Sequence, residues 1–435
     1  MGRQELIARA GKRVYVRSFG CPTNIADGEC IIGCLSQVGY EIVENVEAAD
    51  ILIYNTCAVK SPTENRMIEV LRRVSEDKQL IVTGCLPLIN FERLRNQVRF
   101  DGVLGPAPGS EIIKAVDKVG RGEKVVTVKR DSKPGLDLPR THLNETVGIV
   151  PINYGCLGSC SYCCVLFARG NLRSQTTDAI VKRVQRDLAS GVNEIWLTSQ
   201  DTASYGKDLE TNLVDLLNEV CTIKENFFIR VGMMTPNYAL ELLDGLIDAY
   251  RNKSIFKFLH LPVQSGDDGI LRLMNRFYST KDFTKVVCAF RRKIPRMTVA
   301  TDIICGFPGE SPDAFERTVQ LVEFVQPDIV NISKFFPRPH TPATKMEQLP
   351  PKEVKARSKR MAELVRKISF EKNKAWMDWE GKILIDEKGK NPGSWIGRNF
   401  AYKPIVVNDN RLLLGKFVDV RVIGIFPTYL KAEVI

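Results

Sequence analysis

Apolar residues in the first hundred positions fall into short β-branched runs separated by stretches with helical spacing. RVYVRSFG, DILIYNT and QLIVTG read as buried strands, and residues 28–39 and 64–77 between them read as helices. This alternation predicts an α/β fold that opens on a doubly wound parallel sheet. GPAPGS, one further helix and the polar segment 129–145 follow, and that segment reads as a linker. The alternation then resumes with longer periods. VGIVPIN, EIWLTSQ, FFIRVGM, IFKFLHL, VATDIICG and IVNISKFF are six strand candidates separated by amphipathic stretches. They predict a central partial (β/α)6 barrel whose chemistry lies in the loops after its strands. From about residue 350 the pattern changes again. Residues 351–374 predict a helix with nine Lys/Arg against three Glu, a composition that suits a solvated face or a polyanion-binding face. KILIDEKGK, NFAYKPIVV, VDVRVIGIF and YLKAEVI then predict a small antiparallel β-barrel, an architecture often used on nucleic acid. The expected domains are 1–125, 140–350, a connecting helix at 351–375, and 376–435.

Composition narrows the class. At 44% apolar, 26% charged and 8% aromatic, the 435 residues have the profile of a globular protein. No apolar run approaches the roughly 18 residues of a membrane span. The opening MGRQELIARAGKRVYV lacks an apolar leader core, so a cytoplasmic protein is expected. The 62 Lys/Arg against 51 Asp/Glu leave a net charge of +11, which admits a polyanionic partner. Twelve cysteines in a reducing compartment point to metal or catalytic use before disulfides, and three histidines leave thiolates as the main ligands.

Two cysteine constellations carry chemistry. Cys156, Cys160 and Cys163 form a CxxxCxxC directly after the first barrel strand. Structural zinc takes four ligands, whereas iron–sulfur clusters are held by thiolates, and three thiolates on a cubane leave one iron open. This spacing resembles that of the radical S-adenosylmethionine superfamily, in which the open iron chelates the methionine amine and carboxylate. Cys21, Cys57 and Cys85 each follow a predicted strand of the first sheet, at the edge where open parallel sheets bind ligands. They read either as small buried hydrophobes or as a second three-thiolate cluster; recurrence at one topological point favours the cluster. Cys30 and Cys34, at i and i+4, fit core packing.

SFGCPTNIADGE, YNTCAVKSPTENR, VTGCLP, the CxxxCxxC, CVLFARGNLRS, LTSQDTASYG, FLHLPVQSGDD, TDIICGFPGE and the terminal β module occur in this order nearly end to end. Together they resemble the radical S-adenosylmethionine methylthiotransferases, most closely the archaeal and eukaryotic branch acting on threonylcarbamoyladenosine in tRNA. The resemblance implies an N-terminal methylthiotransferase domain, a radical barrel and a C-terminal TRAM module. It implies two 4Fe-4S clusters, one on Cys21, Cys57 and Cys85 and one on Cys156, Cys160 and Cys163. It also implies two S-adenosylmethionine molecules per turnover, a 5′-deoxyadenosyl radical that abstracts the hydrogen at C2 of the adenine, and delivery of a methylated sulfur to that carbon. The partners expected are such a tRNA, an electron donor and a sulfur source, with the protein a monomer and no membrane involved.

Gln200, Asp201, His260, Gln264 and Asp302 lie at barrel strand ends, as cofactor contacts or as turn caps and core hydrogen bonds. Arg169 and Arg173 could meet the methionine carboxylate or an RNA phosphate. Arg169 is placed with the cofactor, and Arg173 and Arg338 with the substrate; the alternative for Arg338 is pairing with a neighbouring carboxylate. Two positions depart from the family pattern: Gln175 replaces an arginine, and His340 a glycine in the segment after Arg338. The rivals are the branch that methylthiolates a ribosomal protein and, in another class, a non-catalytic iron–sulfur RNA-binding sensor.

Overall fold

The computed structural model describes residues 11–435, so the leader reading of the first ten lies outside the described residues. The first sheet comprises β1 (Arg13–Ser18), β2 (Glu41–Ile42), β3 (Ile51–Thr56), β4 (Gln79–Gly84), β5 (Gly102–Leu104) and β6 (Val125–Thr127), in the order β2-β1-β3-β4-β5-β6. Every pairing is parallel. Both faces are covered, which is why β3 is buried at all six positions. Ile51 and Ile53 face Ile31, Leu35 and Val116, whereas Leu52 and Tyr54 face Met67, Ile68 and Leu86. The order reverses between β1 and β3, the switch point where such sheets bind ligands. The helix Pro22–Gln37 starts six residues earlier than its apolar pattern suggests, directly after Cys21, because Pro22 at its first position needs no hydrogen-bond donor there. The second helix runs Ser61–Arg72.

The six barrel strands appear as β7 (Val147–Pro151), β10 (Glu194–Thr198), β11 (Phe228–Val231), β12 (Phe258–His260), β13 (Thr298–Cys305) and β14 (Ile329–Lys334). Between the first two lies a short ribbon, β8 (Asn153–Tyr154) with β9 (Arg173–Ser174). The larger strands form two three-stranded sheets, β11-β10-β7 and β12-β13-β14, and a parallel bridge between Ile229 and Ile255 adjoins β11. The terminal module is a closed barrel of β15 (Glu380–Lys388), β16 (Ser394–Arg398), β17 (Pro404–Asn408), β18 (Phe417–Ile425) and β19 (Leu430–Val434). It has one strand more than the sequence suggests, because SWIGR pairs on both sides, and its one parallel pairing is β17 with β19. Ile383, Ile385, Ile405, Val407, Val420, Val422 and Leu430 fill it.

The chain divides into two compact units. One holds residues 11–143, 149–175 and 336–344 of the described chain, and the other 144–148, 176–335 and 345–435. Of residues 129–145, expected as a linker, 129–143 are tied down within the first unit. Arg140 Nη1 donates to the Ile149 carbonyl, Lys133 to that of Ser174, and the Leu143 amide to Glu29. Gln175 donates to the Pro134 carbonyl at 2.9 Å and so fastens the same segment. Among the described residues, no helix is long and apolar enough to cross a membrane.

Candidate active site

All six cysteines of the two constellations lie in the first unit. Cys57 and Cys85 directly follow β3 and β4, and Cys21 stands at the cap position of the helix after β1. Cys57 and Cys85 are buried and Cys21 is exposed, so the set opens outward at one corner. The loops are locked together. The Cys85 amide donates to the Thr56 carbonyl at 2.9 Å, and Asn24 Nδ2 donates to the carbonyls of Phe19, Asn55 and Thr56. Gly20 has φ +103°, and a Cβ there would stand 2.7 Å from Cys57 Cβ and 2.8 Å from its Sγ. Only glycine leaves room beside that thiol. Burial pushes the Cys85 thiol up to about 12, against the pull of the Arg169 charge, and burial also raises Cys57.

The second set is built locally. Cys156, Cys160 and Cys163 are half-buried in a loop before the short helix Val165–Arg169. The Gly158 amide donates to Cys156 Sγ at 3.2 Å, and a Cβ on Gly158 would touch the sulfurs of both Cys156 and Cys160. The Cys163 amide donates to the Cys160 carbonyl, which turns the chain so that its ends approach. Burial raises the Cys163 thiol, and Cys160 and Cys156 add to it by repulsion. Cys164 points elsewhere, toward the Ala58 carbonyl, as a structural residue would. Each set offers three soft thiolate donors without a fourth, which suits a cubane whose ligands each bind a different iron. Among the described residues, no three His, Cys, Asp or Glu side chains converge as ligands of a single ion.

The three arginines expected at cofactor or substrate are engaged with protein groups inside this unit. Arg169 is 2% exposed, with Nη2 on Asp27 Oδ2 at 2.7 Å and on Asn24 Oδ1 at 3.1 Å. Arg173 donates to the carbonyls of Asn171, Ser132 and Arg169 and to Asp131. Arg338 is buried against Glu64 and Ser61, the carboxylate pairing weighed as its alternative. Its segment also reaches the radical-type loop, where the Ala343 amide donates to the Ser161 carbonyl at 2.9 Å. His340 takes φ +66°, a conformation natural to glycine, and its ring meets Phe167 edge-on. Sequence reasoning missed Asn24 and Asp27; their polar type on the helix after Cys21 was the available signal.

In the second unit, Asp201 accepts from Thr235 Oγ1 at 2.6 Å and from the amides of Thr235 and Ala203, so its carboxylate ties two strand ends together. His260 Nε2 lies 3.1 Å from Asp302 Oδ1, which also accepts from Asn331 Nδ2 at 2.7 Å. Gln264 has φ +70°, and its backbone brackets β13 by bonding the Asp302 carbonyl and the Ile304 amide. Gln200 Oε1 is buried with no hydrogen-bond partner, an acceptor that suits a ligand donor.

Comparison with known proteins matches this layout. The descriptions that fit are Uncharacterized protein family UPF0004 over residues 13–105, the Radical SAM superfamily over 150–322 and the TRAM domain over 380–435. A Pyrococcus horikoshii protein named a probable threonylcarbamoyladenosine tRNA methylthiotransferase is 42% identical over 427 residues, covering 97% of this chain and 99% of that one. The Homo sapiens threonylcarbamoyladenosine tRNA methylthiotransferase is 34% identical over 431 residues, 97% of this chain and 74% of that protein. Among solved structures, the radical S-adenosylmethionine methyltransferase TsrM from Kitasatospora setae, with cobalamin and a [4Fe-4S] cluster bound, shares the fold. Its TM-score is 0.56 at 14% identity, with 77% of each chain covered.

Proposed function

Because the chain belongs to the radical S-adenosylmethionine methylthiotransferases, in the threonylcarbamoyladenosine tRNA methylthiotransferase branch, we propose that it converts N6-threonylcarbamoyladenosine beside the anticodon of a tRNA to the 2-methylthio derivative. The observation that carries the reading is the presence of two separate three-thiol sets in one compact unit. Bound S-adenosylmethionine and open-iron 4Fe-4S clusters supply one-electron chemistry at an unactivated C–H bond and a seat for sulfur.

The protein's part is binding and orientation. Cys156, Cys160 and Cys163 would hold one cluster from a turn that the Gly158 amide stabilises, and Cys21, Cys57 and Cys85 the other from three adjacent strand ends. Gln200 would accept a hydrogen bond from S-adenosylmethionine, and His260, Gln264 and Asp302 would line the same strand-end rim. The TRAM barrel and the helix Pro351–Lys374 would hold RNA phosphates. Lys352, Lys355, Lys359, Arg366 and Lys367 of that helix are exposed, whereas Arg357 is buried on Glu310. Affinity for tRNA should therefore fall steeply with salt, as counterion release requires. The protein would act as a cytoplasmic monomer, with two S-adenosylmethionine molecules per turnover and an external electron donor and sulfur source.

The test is a competition, under reducing anaerobic conditions, between tRNAs carrying threonylcarbamoyladenosine and isopentenyladenosine, read by nucleoside mass spectrometry. A site built to pair a carboxylate and a hydroxyl rejects the analogue lacking them, because its own polar groups lose their partners. The expected product is the 2-methylthio derivative of the threonylcarbamoyl nucleoside; preference for the isopentenyl substrate would overturn the assignment.

A further inference from the structure

The guanidinium of Arg169 is a buried cation beside the strand-end cysteines. It sits six residues after Cys163, yet its Nη2 is anchored on Asp27 and Asn24, which belong to the helix that begins beside Cys21. Asn24 in turn holds the Thr56 carbonyl, which precedes Cys57 and accepts the Cys85 amide. One side chain thus touches a network that runs into all three cysteine loops. Asp27 is held a second time by the Tyr154 hydroxyl at 3.3 Å, and the Tyr154 ring lies beneath the guanidinium at 6.0 Å. Nη1 is buried and has no hydrogen-bond partner. A guanidinium so enclosed needs an acceptor for every donor. Besides Asp27, the groups whose negative charge would act on it are Cys85 and Cys21, once deprotonated as cluster ligands.

We infer that Arg169 is a positioning residue for the Cys21, Cys57 and Cys85 site, where its fixed charge raises the reduction potential of the cluster those thiolates would hold. The inference rests on the two-cluster reading above. One electron added to a cluster adds one negative charge, and a buried cation beside its ligands stabilises that reduced state. Asp27 opposes it: the carboxylate holds the guanidinium in place but cancels part of its field. Because Arg169 ends the short helix that follows the CxxxCxxC, the same contact fixes the radical-type loop to the N-terminal sheet edge.

The experiment uses full-length protein with Cys156, Cys160 and Cys163 replaced by Ala, so that only the strand-end site can load. After anaerobic reconstitution, iron and sulfide are assayed, and the midpoint potential is measured by dithionite titration followed by electron paramagnetic resonance. Arg169→Gln should shift the midpoint downward at unchanged iron content, Arg169→Lys should shift it less, and Asp27→Asn should shift it upward. Opposite signs at the two ends of one ion pair are not produced by a merely structural role. If Arg169→Gln fails to fold, the upward shift in Asp27→Asn decides. Full iron content with unmoved potentials in Arg169→Gln and Asp27→Asn would overturn the inference alone. A parent that binds no iron would overturn the two-cluster reading and the inference together.

Discussion

At the cysteine edge of the first unit, buried guanidinium groups meet carboxylates: Arg169 on Asp27 and Arg338 on Glu64. At the N-terminal ends of β10 to β12 in the second unit, the arrangement differs. Arg398 pairs with Asp386, but Glu194 on β10 takes the indole N–H of Trp196. Arg230 lies over the rings of Trp196, Phe258 and Tyr402. Glu64 is 1% exposed and Glu194 0%, so depth does not separate them. Burial works against the charge of Glu64, yet Arg338, then Arg93 and Asn90, hold its carboxyl below the ordinary range. Burial pushes Glu194 up to about 8, and the Asp386 charge adds to the effect. At Glu64 the docked guanidinium groups and Asn90 outweigh burial and keep the carboxyl ionised, whereas at Glu194 burial and a second carboxylate win and leave it protonated. The cysteine edge can therefore offer fixed charge to a bound group, whereas the barrel end is closed by packing and neutralisation.

The largest expected effect separates the two cysteine sets of the first unit, and both from the second unit, by metal content. Replacing Cys156, Cys160 and Cys163 together should lower iron from about eight to about four per protein and abolish 5′-deoxyadenosine formation. Replacing Cys21, Cys57 and Cys85 should lower iron equally while S-adenosylmethionine cleavage persists without methylthiolation. Iron assay and nucleoside chromatography check both. Wild-type protein holding only about four irons would remove the second cluster.

The next effect tests whether the charge at the cysteine edge is structural. Glu64→Ala leaves Arg338 buried without its anion, a loss of about 3–5 kcal/mol, read as a lowered denaturation midpoint. Arg338 shares its segment with Ala343, which holds Ser161 between two radical-type cysteines. The variant should therefore lose iron from both sets. Gly20→Ala is smaller and local, because its strain of about 1–3 kcal/mol falls on Cys57. It should deplete only the strand-end cluster, as seen by iron content in the background lacking the other three cysteines.

The two sites differed in how far the sequence revealed them. Cys156 to Cys163 could be read from spacing alone, because a short loop carries all three thiols and the chain itself sets their separation. Cys21, Cys57 and Cys85 could be read only through the expected sheet, since long-range pairing of β1, β3 and β4 brings them together. The fold class was visible for the same reason, as hydrophobic period marks strands and helices. The two-residue β2 and three-residue β5 and β6 carry too little pattern to show. The arginines' protein partners were not legible in the sequence, because a guanidinium suits a phosphate and a buried carboxylate equally. Only the fold places Asp27 and Glu64 opposite Arg169 and Arg338.

The last effect, spread over several pH units, is a pH dependence of opposite sign in the two regions. Glu194 has a folded value near 8 against an ordinary 4.5, so the folded state binds the extra proton between those limits. Its contribution to stability is complete below about pH 4.5 and is lost as pH rises toward and through 8, with a slope of at most about 1.4 kcal/mol per pH unit. Asp386, also raised chiefly by burial, adds in the same direction. Glu64 behaves inversely: its folded value lies below the ordinary 4.5, so its contribution is present above that pH and lost as pH falls through the folded value. Glutamine at either position carries no titrating proton. Thermal melting of wild type and Glu194→Gln should diverge as pH rises from about 5.5 to 8.5, with wild type losing ground to the variant. Wild type and Glu64→Gln should instead converge on acidification below about pH 4.5. Parallel melting curves for wild type and Glu194→Gln across the alkaline range would show that Glu194 is ionised in the fold, and the contrast between the barrel end and the cysteine edge would fall with it.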